Sequence, residues 1–198
     1  MGEIDGTIRE RTAAMHRLLR IFEPDAVLTD NIFGFLWSKL AYGAMLSATA
    51  LTMETMSENF ADPERAPVFA ALGREVIGVA LAAGVSPLGF DGFDPSAFVP
   101  GAPPEAIRRC LADLAAFTRQ TGKTRSGVWR DLAVRKRRTE VETQLAPVVS
   151  TARRLGLETP ALTGLIGLVK EVEEGHRVLG SETFRELIER CSSASMAG

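Results

Sequence analysis

The longest apolar stretch of the chain lies between Asp30 and Glu54, and Lys39 is its only charged residue. If the stretch is helical, apolar side chains occupy all of its faces, which is typical of a helix at the centre of a globular domain. The pattern therefore predicts a long buried central helix, capped by Thr29 or Asp30. Lys39 would be desolvated there and would need a partner for its ammonium group. Two alternatives are a lysine that reaches solvent past its apolar neighbours and a membrane-spanning helix, which the central charge disfavours.

Apolar residues at helical spacing predict further helices on both sides of this stretch. Their expected ranges are about 7–22, 64–83, 105–121, 127–137, 139–155, 162–172 and 181–191. Pro147 predicts a kink or an early end within its helix, because proline lacks the N–H of the helix ladder. Residues 55–63 are expected to form a polar turn. No segment alternates with period two, so the pattern predicts an all-α, multi-helix domain of about seven helices.

The longest irregular segment follows Gly84 and is rich in glycine, proline and phenylalanine. Segments of this length often act as lids or packing arms. We expect its aromatic side chains either to reach a second copy of the chain in a homodimer or to fold back on their own helices. These side chains are Phe90, Phe93 and Phe98.

The domain organisation follows from the same pattern. Residues 1–6 are interpreted as the remnant of an interdomain strand or linker, because glycines bound this short segment and its pattern is not helical. Residues 7–192 are interpreted as one all-helical domain, and residues 193–198 as a frayed tail.

The composition fits an ordinary soluble domain. Of the 198 residues, 45 % are hydrophobic and 24 % are charged, and the net charge is -2. Such a charge gives no global attraction to nucleic acid or to an anionic membrane. Cys110 and Cys191 have no metal-ligand spacing and are interpreted as free structural thiols of a reducing compartment. Because the N-terminal segment has no apolar signal-peptide core, a cytoplasmic location is expected.

Two groups of residues resemble metal ligands only superficially. His16 and His176 lie far apart in sequence, which is more typical of surface or core histidines than of a ligand cluster. The loop acids Asp91 and Asp94 lack the series of oxygen ligands that calcium requires. No metal site is therefore predicted.

The basic run over residues 130–142 allows either a nucleic-acid surface or a helix junction with solvated cations. Its interspersed acids favour the junction, with ion pairs one helical turn apart. Within this run, Thr139 is expected to cap a helix whose first turn holds Glu140. A carboxylate at this helix mouth is available to Lys39, and we expect the two side chains to form an ion pair or to line one cleft.

Four segments resemble the ketopantoate reductase family, in order and at similar spacing. LWSKLAYGAMLSATAL is similar to the helix that opens its C-terminal domain, where W-x-K-L precedes two asparagines at intervals of one helical turn. SGVWRDLAVRKRRTEVE and LGLETPALTGLIGLVK resemble its later signatures. GEIDG matches the phrase that ends its N-terminal nucleotide domain. The resemblance extends over nearly the whole chain and implies the C-terminal domain without the N-terminal NADPH-binding domain.

The resemblance implies an all-helical domain of the 6-phosphogluconate dehydrogenase C-terminal-like type, which closes over a Rossmann domain that binds NADPH. It implies that Lys39 donates a proton to the carbonyl oxygen of a small 2-oxo acid and that Glu140 holds the substrate and the lysine. Ser126 falls near the family's serine, and Gly43 and Ser47 occupy the positions of its two substrate-binding asparagines. The chemistry is sound, because a lysine can stabilise and protonate an oxygen that becomes negative.

The departures from the family pattern limit what the resemblance implies. Gly43 has no side chain to bind a hydroxy acid and Ser47 is shorter than asparagine, so a related or bulkier 2-oxo acid is at least as well matched as ketopantoate. The chain also lacks a glycine-rich phosphate-binding turn. We therefore expect no cofactor on this chain alone, and NADPH only with a Rossmann domain supplied in cis or in trans.

Two functional hypotheses follow. The first is the substrate-binding and catalytic domain of an NADPH-dependent 2-oxo-acid reductase of the pantothenate-pathway type, inactive as this chain alone. The alternative is a non-catalytic helical module for binding or dimerisation, which the missing asparagines favour. Retention of Lys39 and Glu140 favours the first.

Overall fold

The computed structural model describes residues 1–195, with side chains up to Cys191. Its α-helices are α1 (Glu10–Leu19), α2 (Ile32–Thr49), α3 (Met56–Ala61), α4 (Ala66–Ala82), α5 (Pro104–Gln120), α6 (Gly127–Trp129), α7 (Val141–Arg154), α8 (Pro160–Glu173) and α9 (Ser181–Ser195). A 3₁₀ helix at Pro95–Phe98 and a π-helical turn at Arg130–Arg135 complete the regular structure, and no β-strand occurs among these residues. The all-α prediction is confirmed.

Helix α2 lies at the centre of the domain and packs most extensively against α4, with further contacts to α7 and α8. The side chains on its packed face are small or unbranched, and Ala41, Ala44, Met45 and Ala48 are fully inaccessible to solvent. Burial of a side chain such as Met45 contributes about 1.5–3 kcal/mol to stability. The central helix of the prediction is therefore present, although one of its faces is open.

The start of α2 differs from the prediction by one residue. Asn31, rather than Thr29 or Asp30, caps the helix by accepting a hydrogen bond from the Gly34 N–H at 2.9 Å. The Asn31 amide also donates to the carbonyl of Ser86 at 2.8 Å, so the same side chain ties α2 to the segment after α4. This second contact, 55 residues away in sequence, could not be predicted from the local pattern.

Helix α3 was not predicted, because residues 55–63 were interpreted as a polar turn. Thr55 and Glu58 form a capping box, in which each side chain accepts from the backbone N–H of the other residue. The T-x-x-E spacing is a known signal for a helix start. This part of the prediction was wrong, and the signal that corrects it is present in the sequence.

Pro147 lies inside α7 without ending the helix. Its missing N–H would have bonded to the carbonyl of Thr143, and both residues are exposed. Water can therefore satisfy the freed carbonyl, which lowers the cost of an interior proline. The expected early break does not occur.

The irregular segment after α4 folds back on its own helices. Phe93 and Phe98 are 2 % and 1 % exposed and stack on each other with ring centroids 5.4 Å apart. Gly73 of α4 admits Phe98, since a Cβ at this position would lie 2.4 Å from the ring. Of the two alternatives for this segment, the dimerisation arm is excluded for these two side chains, and only Phe90 remains partly accessible.

The basic run forms a junction with solvated cations. Asp131 accepts hydrogen bonds from Arg135 at 2.8 Å and from Arg137 at 3.0 Å, and both arginines are exposed. These hydrogen bonds lower the pKa of the Asp131 carboxyl. The ion pair expected one helical turn apart is present.

Two further points concern the whole chain. Across residues 1–195, no helix combines the length and apolarity that a membrane span requires. Helix α9 includes the first three residues of the predicted tail 193–198, and the rest of that tail lies outside the described residues.

Candidate functional site

A cleft of about 830 Å³ runs along the open face of α2. It is bounded by the segment after α4, the loop before α6 and the start of α7. Its walls are mainly aliphatic and aromatic, and they include Phe33, Leu36, Trp37, Leu40, Leu46 and Phe90. Its ionisable groups include Lys39, Lys123, Asp91 and Glu140. A cleft of this size and character is typical of a small-molecule site.

The cleft is open because α2 is not buried on all sides. Phe33 and Leu36 are 42 % and 45 % exposed, and Lys39 on the same face is exposed as well. The sequence expectation of a desolvated Lys39 was therefore wrong. Helix α2 is apolar on every face, but no described element covers this one. Lys39 forms no ion pair or hydrogen bond with any described residue, so its ammonium group is available to a ligand.

Glu140 lies at the N-terminus of α7, across the cleft from α2. It is the N-cap residue itself, and its side chain makes no capping bond. Thr139 was expected to be the cap, and its hydroxyl oxygen does accept from the Val141 N–H at 3.3 Å, while its own N–H and hydroxyl donate to Glu173 at 2.7 and 2.6 Å. This anchor fixes the chain beside Glu140 while leaving the Glu140 carboxylate exposed. Lys39 and Glu140 line one cleft, as predicted, without forming an ion pair.

Ser126 lines the same cleft and is 4 % exposed. Its hydroxyl oxygen accepts from the Trp129 N–H at 3.1 Å and so caps α6. The Trp129 indole donates to the carbonyl of Thr52 at 3.0 Å, and the Arg125 guanidinium lies 4.7 Å above the indole ring. These contacts hold Ser126 in place, and its hydroxyl hydrogen remains free to be donated to a ligand.

Gly43 and Ser47 also line the cleft, and they contribute space rather than donors. A Cβ at Gly43 would meet no atom within 4 Å, so the missing side chain leaves open volume. Ser47 is 3 % exposed, and its hydroxyl donates to the carbonyl of Gly43 at 2.9 Å. Neither residue offers the amide group that asparagine would have placed here.

The structure adds cleft residues that the sequence did not single out. Lys123 lies in the loop before α6, where no periodicity could assign it to a face. Gln144 is one helical turn beyond Glu140 on α7, so helical spacing could have found it. Burial and the nearby Asp91 carboxylate raise the pKa of Tyr42 to about 12, so its hydroxyl stays protonated and can donate.

The arrangement suits a small anion with an apolar part. Lys39 and Lys123 can attract negative charge, and the apolar walls strengthen such interactions by excluding water. The carboxylates of Asp91 and Glu140 can accept hydrogen bonds from donors on a ligand. The cleft therefore combines acid and base groups with space for an apolar side chain.

No metal cluster accompanies this site. Among the described residues, no three His, Cys, Asp or Glu side chains come together to hold an ion. His16 contacts the carbonyl of Ala26 at 2.7 Å, and His176 lies 3.4 Å from Glu174 on the surface. Cys110 and Cys191 are free, and burial raises the pKa of their thiols to about 11 and about 12.

A family model matches most of the domain. The model, described as Ketopantoate reductase PanE/ApbA C terminal, matches residues 31–173. This range contains α2 to α8 and every residue of the cleft. No curated protein and no solved structure matches the chain.

Proposed function

The chain belongs to the ketopantoate reductase family, of which it carries the C-terminal domain, and we propose that it is the substrate-binding and proton-donating half of an NADPH-dependent 2-oxo-acid reductase. The observation that carries the proposal is the convergence of residues from three elements on one cleft. Lys39 comes from α2, Ser126 from the start of α6 and Glu140 from the start of α7. Such a meeting of a cation, a hydroxyl and a carboxylate in an apolar cleft is typical of an active site.

The proposed chemistry is carbonyl reduction. When a ketone accepts hydride, its oxygen becomes negative and must be protonated. In the proposal, Lys39 stabilises this charge and donates the proton, and Glu140 helps to hold the substrate from the other side of the cleft. Removal of a general acid of this kind costs about 10²- to 10⁴-fold in rate.

The proposed substrate is a 2-oxo acid with an apolar side chain larger than that of ketopantoate. Gly43 leaves open volume, and the Ser47 hydroxyl is already bonded to a backbone carbonyl. A cleft without a free donor at these positions gives little preference to a substrate hydroxyl. Lys123 is the proposed partner of the substrate carboxylate, because it is a second cation in the cleft. Ser126 is proposed to donate a hydrogen bond to the same substrate.

This chain alone does not fit the dinucleotide. The sequence has no glycine-rich turn between a strand and a helix, and the described residues contain no parallel sheet on which such a turn could sit. In the proposal, NADPH supplies the hydride from a Rossmann domain in cis or in trans. The free thiols support a reducing location such as the cytoplasm.

Ligand binding to the isolated chain tests the proposal. Isothermal titration calorimetry measures binding to the unmodified chain, which keeps the Trp129 indole that holds Ser126 in place. We expect 2-oxooctanoate, whose side chain is fully apolar and larger than that of ketopantoate, to bind more tightly than ketopantoate, and Lys39→Met to weaken its binding at least tenfold. Lys136→Met is the matched control, because Lys136 is exposed and lies outside the cleft. Equal weakening by both substitutions would contradict a specific role for Lys39.

Calorimetry with NADPH tests whether binding of the cofactor requires a second domain. We expect this chain alone to bind NADPH with a dissociation constant weaker than the micromolar range, because the chain lacks a phosphate-binding turn. Tight binding would contradict the need for a second domain. With a nucleotide-binding domain supplied, Lys39→Met should lower the reduction rate by about 10²- to 10⁴-fold.

The second candidate function is a non-catalytic binding or dimerisation module. The exposed apolar side chains Phe33 and Leu36 favour it, since such surfaces often mark contacts. Under this alternative, supplying a nucleotide-binding domain would yield no reduction of any 2-oxo acid. A homodimer mass near twice 21.4 kDa in light scattering would support it further.

A further inference from the structure

A tight turn in the segment after α4 forms part of the cleft wall. Phe90 and Phe93 pair as an antiparallel bridge, in which the N–H of each residue donates to the carbonyl of the other, at 3.1 and 2.7 Å. The two residues between them, Asp91 and Gly92, have φ angles of 47° and 80°. Positive φ at both central positions is what a type I′ turn requires, and Asp-Gly and Asn-Gly are the preferred pairs there. We call residues 90–93 the aromatic turn.

Packing holds the aromatic turn in place from two sides. The Phe90 ring meets the Tyr42 ring of α2 edge-on, with the ring centroids 5.9 Å apart. Gly92 lies against α5, since a Cβ at this position would come within 3.3 Å of the carbonyl oxygen of Asp113. The backbone position of Asp91 at the tip of the turn is therefore set by its neighbours, although Asp91 itself is exposed.

The Asp91 carboxylate has no partner in the protein. It lines the cleft but makes no hydrogen bond or ion pair with any described residue. Its negative charge adds to the effect of burial in raising the pKa of Tyr42, so the two side chains lie near each other. Tyr42 follows Lys39 by about one turn of α2. Asp91 is thus placed beside the part of the cleft that comes next after Lys39 along this helix.

The side chain of the proposed substrate extends into the same part of the cleft. With the substrate carbonyl at Lys39, the open volume at Gly43 lies about 6 Å further along α2, because a helix rises about 1.5 Å per residue. Gly43 directly follows Tyr42, whose ring contacts the aromatic turn. A substrate side chain that fills this volume therefore ends near Asp91.

The charges that line the cleft are divided between its two parts. In the proposed function, Lys39 meets the carbonyl oxygen and Lys123 meets the carboxylate, so both lysines serve the 2-oxo-acid end of the substrate. Among the described residues of the cleft, the other charged side chains are the acids Asp91 and Glu140. A second carboxylate on a ligand would find no further cation. Asp91 would repel it, and the apolar walls would keep this repulsion strong.

We propose that Asp91 is a specificity-determining residue that excludes 2-oxo diacids from the cleft. The inference rests on the proposed function, because Lys39 and Lys123 define where the substrate lies. A negative charge at the far end of the site admits a 2-oxo acid with an uncharged side chain. The same charge rejects an acid of equal length that ends in a second carboxylate, which is specificity through a repulsive element.

The needs of the turn do not explain this charge. The left-handed position before Gly92 favours a short polar side chain, and Asn-Gly suits a type I′ turn as well as Asp-Gly does. Turn formation therefore accounts for the size of the residue at position 91 but not for its ionised carboxylate. Asp91→Asn removes the charge while the turn is retained, which makes it a clean test of the proposal.

Calorimetry with a matched pair of ligands tests the inference. 2-Oxooctanoate and 2-oxooctanedioate have equal numbers of carbon atoms and differ at the last one, which is a methyl group in the first and a carboxylate in the second. We expect the wild-type chain to bind 2-oxooctanoate at least tenfold more tightly. In Asp91→Asn this ratio should fall at least threefold through tighter binding of 2-oxooctanedioate, while the affinity for 2-oxooctanoate changes less than twofold.

Asp94→Asn is the matched control. Asp94 carries the same charge in the same segment but lies outside the cleft, where its side chain accepts from the N–H of Ser96 at 2.9 Å. Asparagine can make the same cap, so this substitution should leave the ratio of affinities unchanged.

Three results would overturn the inference while leaving the proposed function in place. They are a wild-type preference for 2-oxooctanedioate, an unchanged ratio in Asp91→Asn, and an equal change of the ratio in Asp94→Asn. An unchanged ratio in Asp91→Asn would mean that the cost of placing a carboxylate in an apolar cleft rejects the diacid by itself. Failure of 2-oxooctanoate to bind would instead contradict the proposed function, and the inference with it.

Discussion

Glu75 and Glu140 each lie at the N-terminus of a helix and differ in what surrounds them. Glu75 of α4 accepts the N–H groups of Ala161 and Leu162 at 2.7 and 2.8 Å, at the start of α8. Glu140 is the N-cap residue of α7, and its carboxylate accepts no hydrogen bond from the described residues. Both carboxylates benefit from the positive end of a helix dipole. Only Glu75 joins two helices.

This difference distinguishes a carboxylate that is used within the fold from one that is available to a ligand. Burial raises the pKa of Glu75 to about 7, although its two N–H donors act in the opposite direction. Its hydrogen-bonding capacity is used within the protein. Glu140 is exposed at the cleft rim, and its capacity remains for a ligand or for Lys39. A helix-mouth position alone does not distinguish these roles, whereas partner and burial do.

The largest expected effect is on the pH dependence of stability. The pKa of Glu75 rises from 4.5 in the unfolded chain to about 7 in the folded one, so the folded state binds the proton more tightly. The contribution to stability is fully present below pH 4.5 and is lost as the pH rises through 7, by about 3 kcal/mol in all. Urea unfolding of the wild type and Glu75→Gln at a series of pH values should show this loss as their difference.

The comparison of variants isolates this group from others that titrate in the opposite direction. Glu3 and Asp131 have lowered pKa values and add stability as the pH rises, but they do so equally in both proteins. Parallel curves for the wild type and Glu75→Gln between pH 4.5 and 7.5 would contradict the predicted role of burial.

The next effect is the loss of the link between α4 and α8. Glu75→Ala leaves the N–H groups of Ala161 and Leu162 without their acceptor, and both residues are essentially buried. An unsatisfied buried donor costs about 1–3 kcal/mol, so we expect a loss of about 2 kcal/mol at pH 5.5. Denaturant unfolding measures it, with Glu140→Ala as the matched substitution at the other helix mouth.

A smaller stability effect is expected at Glu140. Glu140→Gln removes an exposed charge without removing a hydrogen bond, so the free energy of unfolding should change by less than about 0.5 kcal/mol. The reduction rate with a nucleotide-binding domain supplied should nevertheless fall by about 10²-fold or more, because the carboxylate proposed to hold the substrate opposite Lys39 is lost. Loss of stability and activity together would indicate a structural role like that of Glu75.

The sequence predicted much of the helical framework and the members of the cleft. Helical spacing found most of the helices, and the family resemblance brought Lys39, Glu140 and Ser126 together. The solvent-exposed face of α2 was not predicted, because the pattern of a helix that is apolar on all sides does not indicate which side lacks a packing neighbour. Glu75 escaped too, because its partners follow it by 86 and 87 residues and a single acid in an amphipathic helix resembles a surface residue.

Residues 1–29 show a third kind of limit on prediction from the sequence. Spacing predicted a helix near α1, and residues 1–6 were interpreted as an interdomain remnant. The hydrogen bonds of Met1 to Val27 and Thr29, however, join the two ends of this segment. Such non-local pairing is invisible to periodicity. The exposed fraction of α1 was equally unpredictable, since an amphipathic stripe indicates a contact without naming its partner.

The smallest expected effect concerns Cys191, whose thiol lies near Glu75. Burial raises its pKa to about 12, and the negative charge of Glu75 contributes to the shift. At pH 8 about one thiol in ten thousand is then a thiolate, so iodoacetamide should react slowly. Glu75→Gln removes the charge but not the burial, so the reaction should accelerate only several-fold.

Cys110 is the internal control, because its raised pKa has other causes, which are burial and the acids Asp94 and Asp113. Mass spectrometry of both peptides measures the two rates. Equal acceleration of both thiols would mean that the substitution had loosened the whole domain, whereas a selective rise at Cys191 would show that the charge of Glu75 acts locally within the core.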